Sequence, residues 1–533
     1  MRPELAFVFL FSVATAVAIA ARRWKVPYTV ALVVAGTALG ASHLVTPPHL
    51  TKDLLFALFL PGLVFEAAYH LEARAFWRNK LAVNALAVPG LVAAMALTAA
   101  ILVPLANGLH FVEGFGLAHG LVFGAIIVAT DPVAVVGLFK SLGAPKRLAT
   151  LVEGESLVND GTAAVVFSLV LAAVAGGGPF SAAGAALDFV RVVGLGGVAG
   201  ALVGLAASEV IRRVDDPMIE ITLTTVAAYG SFAAAEHFHV SGIIATLVAG
   251  MLCGNYAART GMSPSTRVAV ETFWEYVAFA LNSTVFLLIG FEVDAGRLLA
   301  SWLPIVAAFA AAALGRAAVV AGVVALLGRT REAVPWRWAP VLTWGGLRGG
   351  LSMVLALGLP QGFPHRDLLV TMTYGVVLLS ILVQGLTMGP LLRRLGLSGG
   401  GPAHAAYELH RGAARAAQAA LEALSRLERQ GATQRDVLGA LRGEYRARLT
   451  EAERAIDALH LEAAELREAE AEAARRGLLA AEKDALLEAR RQGLIGDEAS
   501  ERLLADVDAR LVELEESGPP PSAPRAGRQL TTR

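Results

Sequence analysis

The feature that most constrains this chain is a succession of apolar runs cut by short polar loops, from the N-terminus to about residue 397. A helical membrane span needs roughly 20 mostly apolar residues. About thirteen runs meet or approach that length, near 4–21, 27–44, 51–70, 82–107, 117–139, 148–176, 183–211, 218–237, 239–255, 269–290, 299–327, 339–359 and 367–392. Backbone polar groups find no water in hydrocarbon, so a crossing segment must satisfy them internally, as a helix does. Composition agrees: 56% of the 533 residues are hydrophobic and 17% charged, little charge for a soluble protein of this size. The expected fold is an all-α polytopic membrane protein. The first run, within MRPELAFVFLFSVATAVAIAARRWK, has features of a signal peptide. Its length and the many spans behind it favour a retained first span.

The loops test the count. Cations cluster after odd-numbered runs: Arg22, Arg23 and Lys25; Arg74, Arg78 and Lys80; Lys140, Lys146 and Arg147; Arg212 and Arg213; Arg259 and Arg267; Arg329, Arg331 and Arg337; Arg393 and Arg394. Loops after even-numbered runs hold only Lys52, Arg297 and Arg366. This alternation is a positive-inside signal, and it puts the N-terminus outside and the C-terminus in the cytoplasm. A single cysteine, Cys253, excludes an internal disulfide and a cysteine metal cluster. Histidines with metal-ligand spacing do not share a helix face, and His239 reads as a loop residue.

Two runs are interrupted. The fifth reads GAIIVATDPVAVVGLF, where Pro132 removes a backbone donor beside Thr130 and Asp131. The twelfth reads VLTWGGLRGGLSMVLAL, where Gly345, Gly346, Gly349 and Gly350 surround Arg348. An ordinary kink or close helix contact explains either break alone. Two breaks, each with a charge at membrane depth and crossing in opposite directions, point to an inverted-repeat transporter. Asp131 and Arg348 are placed to neutralise the partial charges of the half-helix ends.

The sixth run carries EGESLVNDGTAAVVF, residues 153–167. Glu155 and Asn159, and likewise Ser156 and Asp160, are spaced i, i+4 on a helix. An intramembrane carboxylate costs about 2.5–3.5 kcal/mol on insertion scales, so it pairs or lines a wet cavity. For Glu155 the expected partner is Arg348. The several carboxylates outnumber the intramembrane cations, which leaves at least one facing water, and Asp160 is less expected than Glu155 to be held in a structural pair. An unpaired carboxylate in a partly dry cavity has its charged form disfavoured, and it can hold a proton or a small cation. A hard cation wants further oxygens. Ser156, Asn159, the carbonyls at the Thr130 break and Glu66 are the candidates. Glu72 reads as interfacial, and Glu220, Glu236, Ser241 and Asn282 read mainly as packing contacts.

Seven segments occur in a set order over most of residues 50 to 395: LPGLVFEAAYHL (60–71), VATDPVAVV (128–136), EGESLVNDGTA (153–163), AYGSFAAAE (228–236), SGIIATLVAG (241–250), FWEYVAFALNSTVFLLIG (273–290) and GGLRGGLSMVLAL (345–357). Together they resemble the monovalent cation:proton antiporter family, in the bacterial sodium/proton antiporter branch related to animal sodium/proton exchangers. The resemblance implies about 13 transmembrane helices with inverted repeats and two broken crossing helices. It implies Asp160 as the ion-binding and proton-carrying carboxylate, and Asn159 as the mark of the electroneutral branch. Thr130 and Asp131 look like the unwound crossing, and Glu155 with Arg348 like a structural ion pair. Sodium, as transported substrate, would sit at Asp160, Ser156, Glu66 and Thr130. The resemblance also implies a homodimer. One departure is Gly62, where the family often has proline; a looser turn is expected there.

After LLRRLGL, the Gly-rich SGGGPAH marks a boundary. The organisation expected is a transmembrane antiporter domain over 1–397, a cytoplasmic helical domain over 398–517, and a disordered tail over 518–533. Leu421, Leu424 and Leu427, and later Leu503, Leu504, Val507, Leu511 and Leu514, suit amphipathic helices. Gly493 and Asp497 suit a helix–turn–helix corner. Mixed acids and bases argue against nucleic-acid binding.

The leading expectation is exchange of Na+ (or Li+) for H+ by alternating access, with no cofactor and no enzymatic step. Potassium/proton exchange on the same scaffold is the alternative. An intramembrane aspartyl protease is disfavoured because NDG stands where GxGD would be needed, and paired broken helices favour a carrier over a channel. The partners are lipid, monovalent cations, protons and a second copy of the chain. The place is a bacterial inner membrane, in keeping with Ala- and Arg-rich usage.

Overall fold

The computed structural model describes residues 3–24, 27–42, 55–110, 113–175, 181–258, 261–291, 295–330, 332–397, 402–430 and 435–462, and scattered positions between 475 and 510. The chain divides into two compact units, Met1–Leu397 and Ser398–Arg533. Among the described residues every named element is helical, and extended pairing is confined to one isolated bridge.

In the first unit, seven helices are long and apolar enough to cross a membrane: Lys80–Gly108, Lys146–Ala175, Ala182–Ile211, Pro217–His237, Pro264–Phe291, Trp302–Leu327 and Arg366–Arg394. Shorter apolar helices fill Val8–Ala21, Tyr28–Ala41, Leu117–Ile127, Val133–Leu142 and Gly242–Ala257. With Leu60–His70 in the third run, and Ala339–Trp344 and Gly350–Leu357 in the twelfth, each of the thirteen apolar runs holds helix. Lys25, Lys52, Arg259 and Arg331 lie outside the described residues.

Both expected breaks are present. Leu117–Ile127 stops before Thr130, and the chain resumes as Val133–Leu142. Ala339–Trp344 stops before the glycines, and the chain resumes as Gly350–Leu357. Between the halves, Asp131 and Leu347 form an antiparallel bridge, with Asp131 N–H donating to Leu347 O at 2.8 Å. The unwound segments thus satisfy each other where water is scarce. Gly349 is required for this approach, because a Cβ there would collide with the Asp131 side chain.

Small residues set the other close contacts. Along Ala182–Ile211, Gly196, Gly200 and Gly204 face Ser241, Ala245 and Ala249 of the helix Gly242–Leu252 and its cap. Gly36 meets Gly290 between Tyr28–Ser42 and Pro264–Phe291. Such spacing brings helix backbones together in lipid. Gly62 does not loosen a turn. It lies inside the helix Leu60–His70, where a Cβ would press on Leu281 and the Tyr229 hydroxyl.

In the second unit, Pro402–Gln430 and Arg435–Glu462 pack together, with Leu424, Leu438 and Ala452 buried and an Arg442–Glu428 ion pair at 2.5 Å. The Gly493–Asp497 corner and the tail 518–533 lie outside the described residues.

The packing is testable at Gly200, where an added Cβ would meet the Ala245 backbone, against Gly194, which has open space around it. Gly200→Val should lower the thermal stability of the detergent-solubilised protein by about 1–3 kcal/mol. Gly194→Val should leave it within about 0.5 kcal/mol. Equal effects would remove the case for close packing here.

Candidate functional site

The acidic helix Lys146–Ala175 runs beside the crossing and presents two faces to it. Glu155 and Asn159, one turn apart, are 2% exposed each; Ser156 is 1% and Thr130 is 3% exposed. Asp160 and Asp131 are only half-buried. The site therefore has a sealed interior and two less buried carboxylates at its edge.

The interior is held by side chains donating to the broken backbone. Ser156 Oγ donates to Thr130 O. Asn159 Nδ2 donates to Val128 O at 3.3 Å, Thr130 Oγ1 at 3.1 Å and Glu155 Oε1 at 3.3 Å. Three acceptors around one amide nitrogen fix the amide's orientation, and its Oδ1 then stays buried without a partner among the described residues. These bonds gather carbonyls that Leu117–Ile127 can no longer use.

Two arginines complete the ends. Arg348 Nη1 donates to Val128 O at 2.9 Å and Ala129 O at 3.4 Å, at the C-terminal, negative end of the first half-helix. Its own N–H is taken by Ser380 Oγ at 3.0 Å. Arg316, from Trp302–Leu327, grips Glu155 with Nη1 to Oε1 at 3.1 Å and Nη2 to Oε2 at 2.9 Å. Its Nε and Nη2 also donate to Leu342 O at 3.1 and 2.9 Å, near the end of Ala339–Trp344. Each half-helix C-terminus near the crossing thus receives a guanidinium.

This corrects the expected ion pair. Glu155 pairs with Arg316, not Arg348, because Arg348 is occupied by the carbonyls of the opposite break. Arg316 was missed in the sequence reading. The signal was there: a lone arginine in AAALGRAAVVAGVV, in mid-span. Gly346 makes room for it, since a Cβ there would overlap its guanidinium.

Asp160 has no hydrogen-bond or ion-pair partner among the described residues, and the charges that act on it are those of Asp131 and Glu155. Asp131 Oδ1 accepts from Val133 N–H at 2.9 Å, at the positive end of the next half-helix. Glu155 is neutralised by Arg316. Asp160 alone of the three lacks a compensating group.

Glu66 stands apart. Its carboxylate pairs with His70 Nδ1 at 3.2 Å, and it interacts with Glu153, about two helical turns before Asp160. The structure brings Asp160, Asn159, Ser156, Thr130 and Asp131 together and leaves Glu66 outside the cluster. A cleft lined by Leu91, Val128, Glu155, Asn159, Arg316 and Arg348 opens on the Glu155 face. Asp160, about 100° further round the helix, does not line it.

Antiparallel broken helices, capped by charges, with a lone carboxylate beside them, define a polytopic helical ion carrier. The model of the transmembrane sodium/hydrogen exchanger family matches residues 8–394, and the chain belongs to that family. The Na(+)/H(+) antiporter NhaP of Pseudomonas aeruginosa is 41% identical over 356 residues, 64% of this chain and 81% of its own. The Na(+)/H(+) antiporter ApNhaP of Aphanothece halophytica is 38% identical over 376 residues, 70% of this chain and 71% of its own. NhaS2 of Synechocystis is 33% identical over 518 residues, 96% of this chain and 93% of its own. The solved sodium proton antiporter MjNhaP1 of Methanocaldococcus jannaschii superposes with a TM-score of 0.59 at 19% identity, covering 75% of this chain and 100% of that one. That likeness is one of fold.

The ion pair supplies a test of the assignment. Arg316→Met leaves Glu155 buried and unpaired, and should cost about 3–5 kcal/mol. The double variant with Glu155→Gln should recover much of that loss, as read by thermal unfolding in detergent. No recovery would separate Arg316 from Glu155.

Proposed function

We propose that this protein exchanges Na+ (or Li+) for H+ across a bacterial inner membrane by alternating access, with cation and proton competing for Asp160. One observation carries the reading. Among the described charged groups of the crossing, only Asp160 is left without a partner, and it follows Asn159 and lies one turn beyond Ser156, both of which bond to the broken helix. A carboxylate in that position neutralises itself with whichever cation is available. The named activity of the relatives, Na(+)/H(+) antiport, agrees.

Sodium is a hard cation and takes oxygens. Asp160 would supply a carboxylate, Ser156 a hydroxyl lone pair and Thr130 its carbonyl or hydroxyl. Asn159 Oδ1, buried and unpartnered, is a further acceptor within the same cluster. Glu66, paired with His70, is left out of this set in the conformation described. Asp131 and Arg348 hold the crossing rather than the ion. With Asn rather than a second acid at 159, one unbalanced carboxylate serves the exchange. A single Na+ then trades for a single proton, which is electroneutral.

The same reading assigns the loop cations to the cytoplasmic side, with the N-terminus outside, and makes thirteen runs thirteen spans. The face of Ala182–Ile211 that carries Leu187, Leu202 and Leu205 is exposed at 70%, 67% and 49%. It suits lipid or a second copy of the chain. The unit after Ser398 would lie in the cytoplasm.

Dissipation of a proton gradient in proteoliposomes tests the proposal. Sodium should collapse the gradient at a rate that ignores a potassium–valinomycin clamp, and Asp160→Asn should reduce that rate to background. Below the titration range of Asp160, the apparent KM for Na+ should rise about tenfold for each unit by which the pH falls, because the ligand must first lose its proton. Activity with K+ alone, assayed without the clamp, would change the substrate. Full activity in Asp160→Asn would move the site elsewhere.

A further inference from the structure

Away from the crossing the structure holds another acid with no stated use. Glu220 lies in the first turn of Pro217–His237, is 0% exposed, and neither of its carboxylate oxygens has a hydrogen-bond partner among the described residues. Buried polar atoms are nearly always paired. An unpaired buried carboxylate costs far more when ionised than when neutral.

Among the described residues its surroundings offer no counter-charge. The charged groups acting on it are Asp215 and Asp216, from the preceding loop. Asp215 accepts from Thr266 Oγ1 at 3.4 Å, and Asp216 caps the N–H groups of Met218 and Ile219. Leu60–His70 brings Tyr69, whose hydroxyl is directed at the Met262 sulfur. Cys253 adds a buried thiol. The helix Gly242–Leu252 brings no titratable group. The described basic groups at this end are engaged: Arg212 and Arg213 by Glu209 at 3.0 and 2.6 Å, and Arg267 by Glu271 at 2.7 Å. One turn on, the Thr224 hydroxyl accepts from Trp274 Nε1 and donates to Ile221 O.

The helix N-terminus favours an anion by about 2 kcal/mol at most. Burying an ion costs several kcal/mol even after relaxation. Desolvation therefore wins, and the cheapest remaining neutraliser is a proton.

We infer that Glu220 is a proton-binding site, occupied while Pro217–His237 is packed against Leu60–His70 and Pro264–Phe291, and emptied only when that packing opens to water. It lies at the Arg212–Arg213 end, which the proposed orientation gives to the cytoplasm. Pro217–His237 packs on Gly242–Leu252, which in turn packs on the acidic helix. Proton occupancy at Glu220 thereby couples pH on that side to the helices supporting Asp160, without passing through Asp160 itself.

Infrared difference spectroscopy on the full chain in liposomes tests this independently of transport. At neutral pH, the wild type should show a protonated-carboxyl carbonyl band that Glu220→Gln lacks and Glu220→Asp shifts. The band should fade as pH rises. Over the same range, hydrogen exchange in residues 217–224, corrected for intrinsic rates, should quicken at least about twofold in the wild type and not in Glu220→Gln. Identical neutral spectra for wild type and Glu220→Gln would show an ionised Glu220 and overturn the proposal. So would loss of the band on adding Na+ or K+ at fixed pH, which would make this a cation site. If the Gln variant does not fold, the Asp variant's band position carries the test.

Discussion

An interrupted helix inside a membrane leaves carbonyls and N–H groups that no water can reach, and this protein has two such interruptions at one point. The rest of the site follows from how they are satisfied. Part of the answer is mutual, through the Asp131–Leu347 bridge. The remainder is supplied by side chains: Ser156 and Asn159 from the acidic helix, Arg348 from the opposite break, and Arg316 from a neighbouring span. Each group relieves a backbone atom the break exposed, so the crossing and the polar cluster are one construction.

That construction also decides the electrostatics. Arg316 neutralises Glu155 while holding Leu342 O, and the half-helix N-terminus receives Asp131. Every strong charge near the crossing is then matched except that of Asp160. Its position is half-buried. Under the proposed exchange either a cation or a proton would complete the balance, and holding both would overshoot it.

Much of this was legible beforehand. The breaks were readable because two interrupted runs, at Pro132 and at the four glycines around Arg348, each carry a charge at membrane depth and cross in opposite directions. Asp160, Asn159 and Ser156 were readable because polar residues at helical spacing are costly in hydrocarbon and need a reason. The partner of Glu155 was not. Arg316 and Arg348 are both lone mid-span arginines, and sequence distance does not say which one meets the acid. The structure pairs Glu66 with His70, and a carboxylate deep in a span looks the same in sequence whether it faces the ion or a histidine one turn away. Glu220 read as a packing contact, and only its complete burial without a partner marks it out.

The sequence by itself determined the class of molecule: helices spanning a membrane, two of them broken, with an unbalanced acid on a third. Those are properties of local composition and period, which the solvent enforces residue by residue. Only the tertiary structure decided which charges cancel. Pairing depends on directions and distances of a few ångströms between segments far apart in the chain, such as Glu155 and Arg316, and no local rule carries that information.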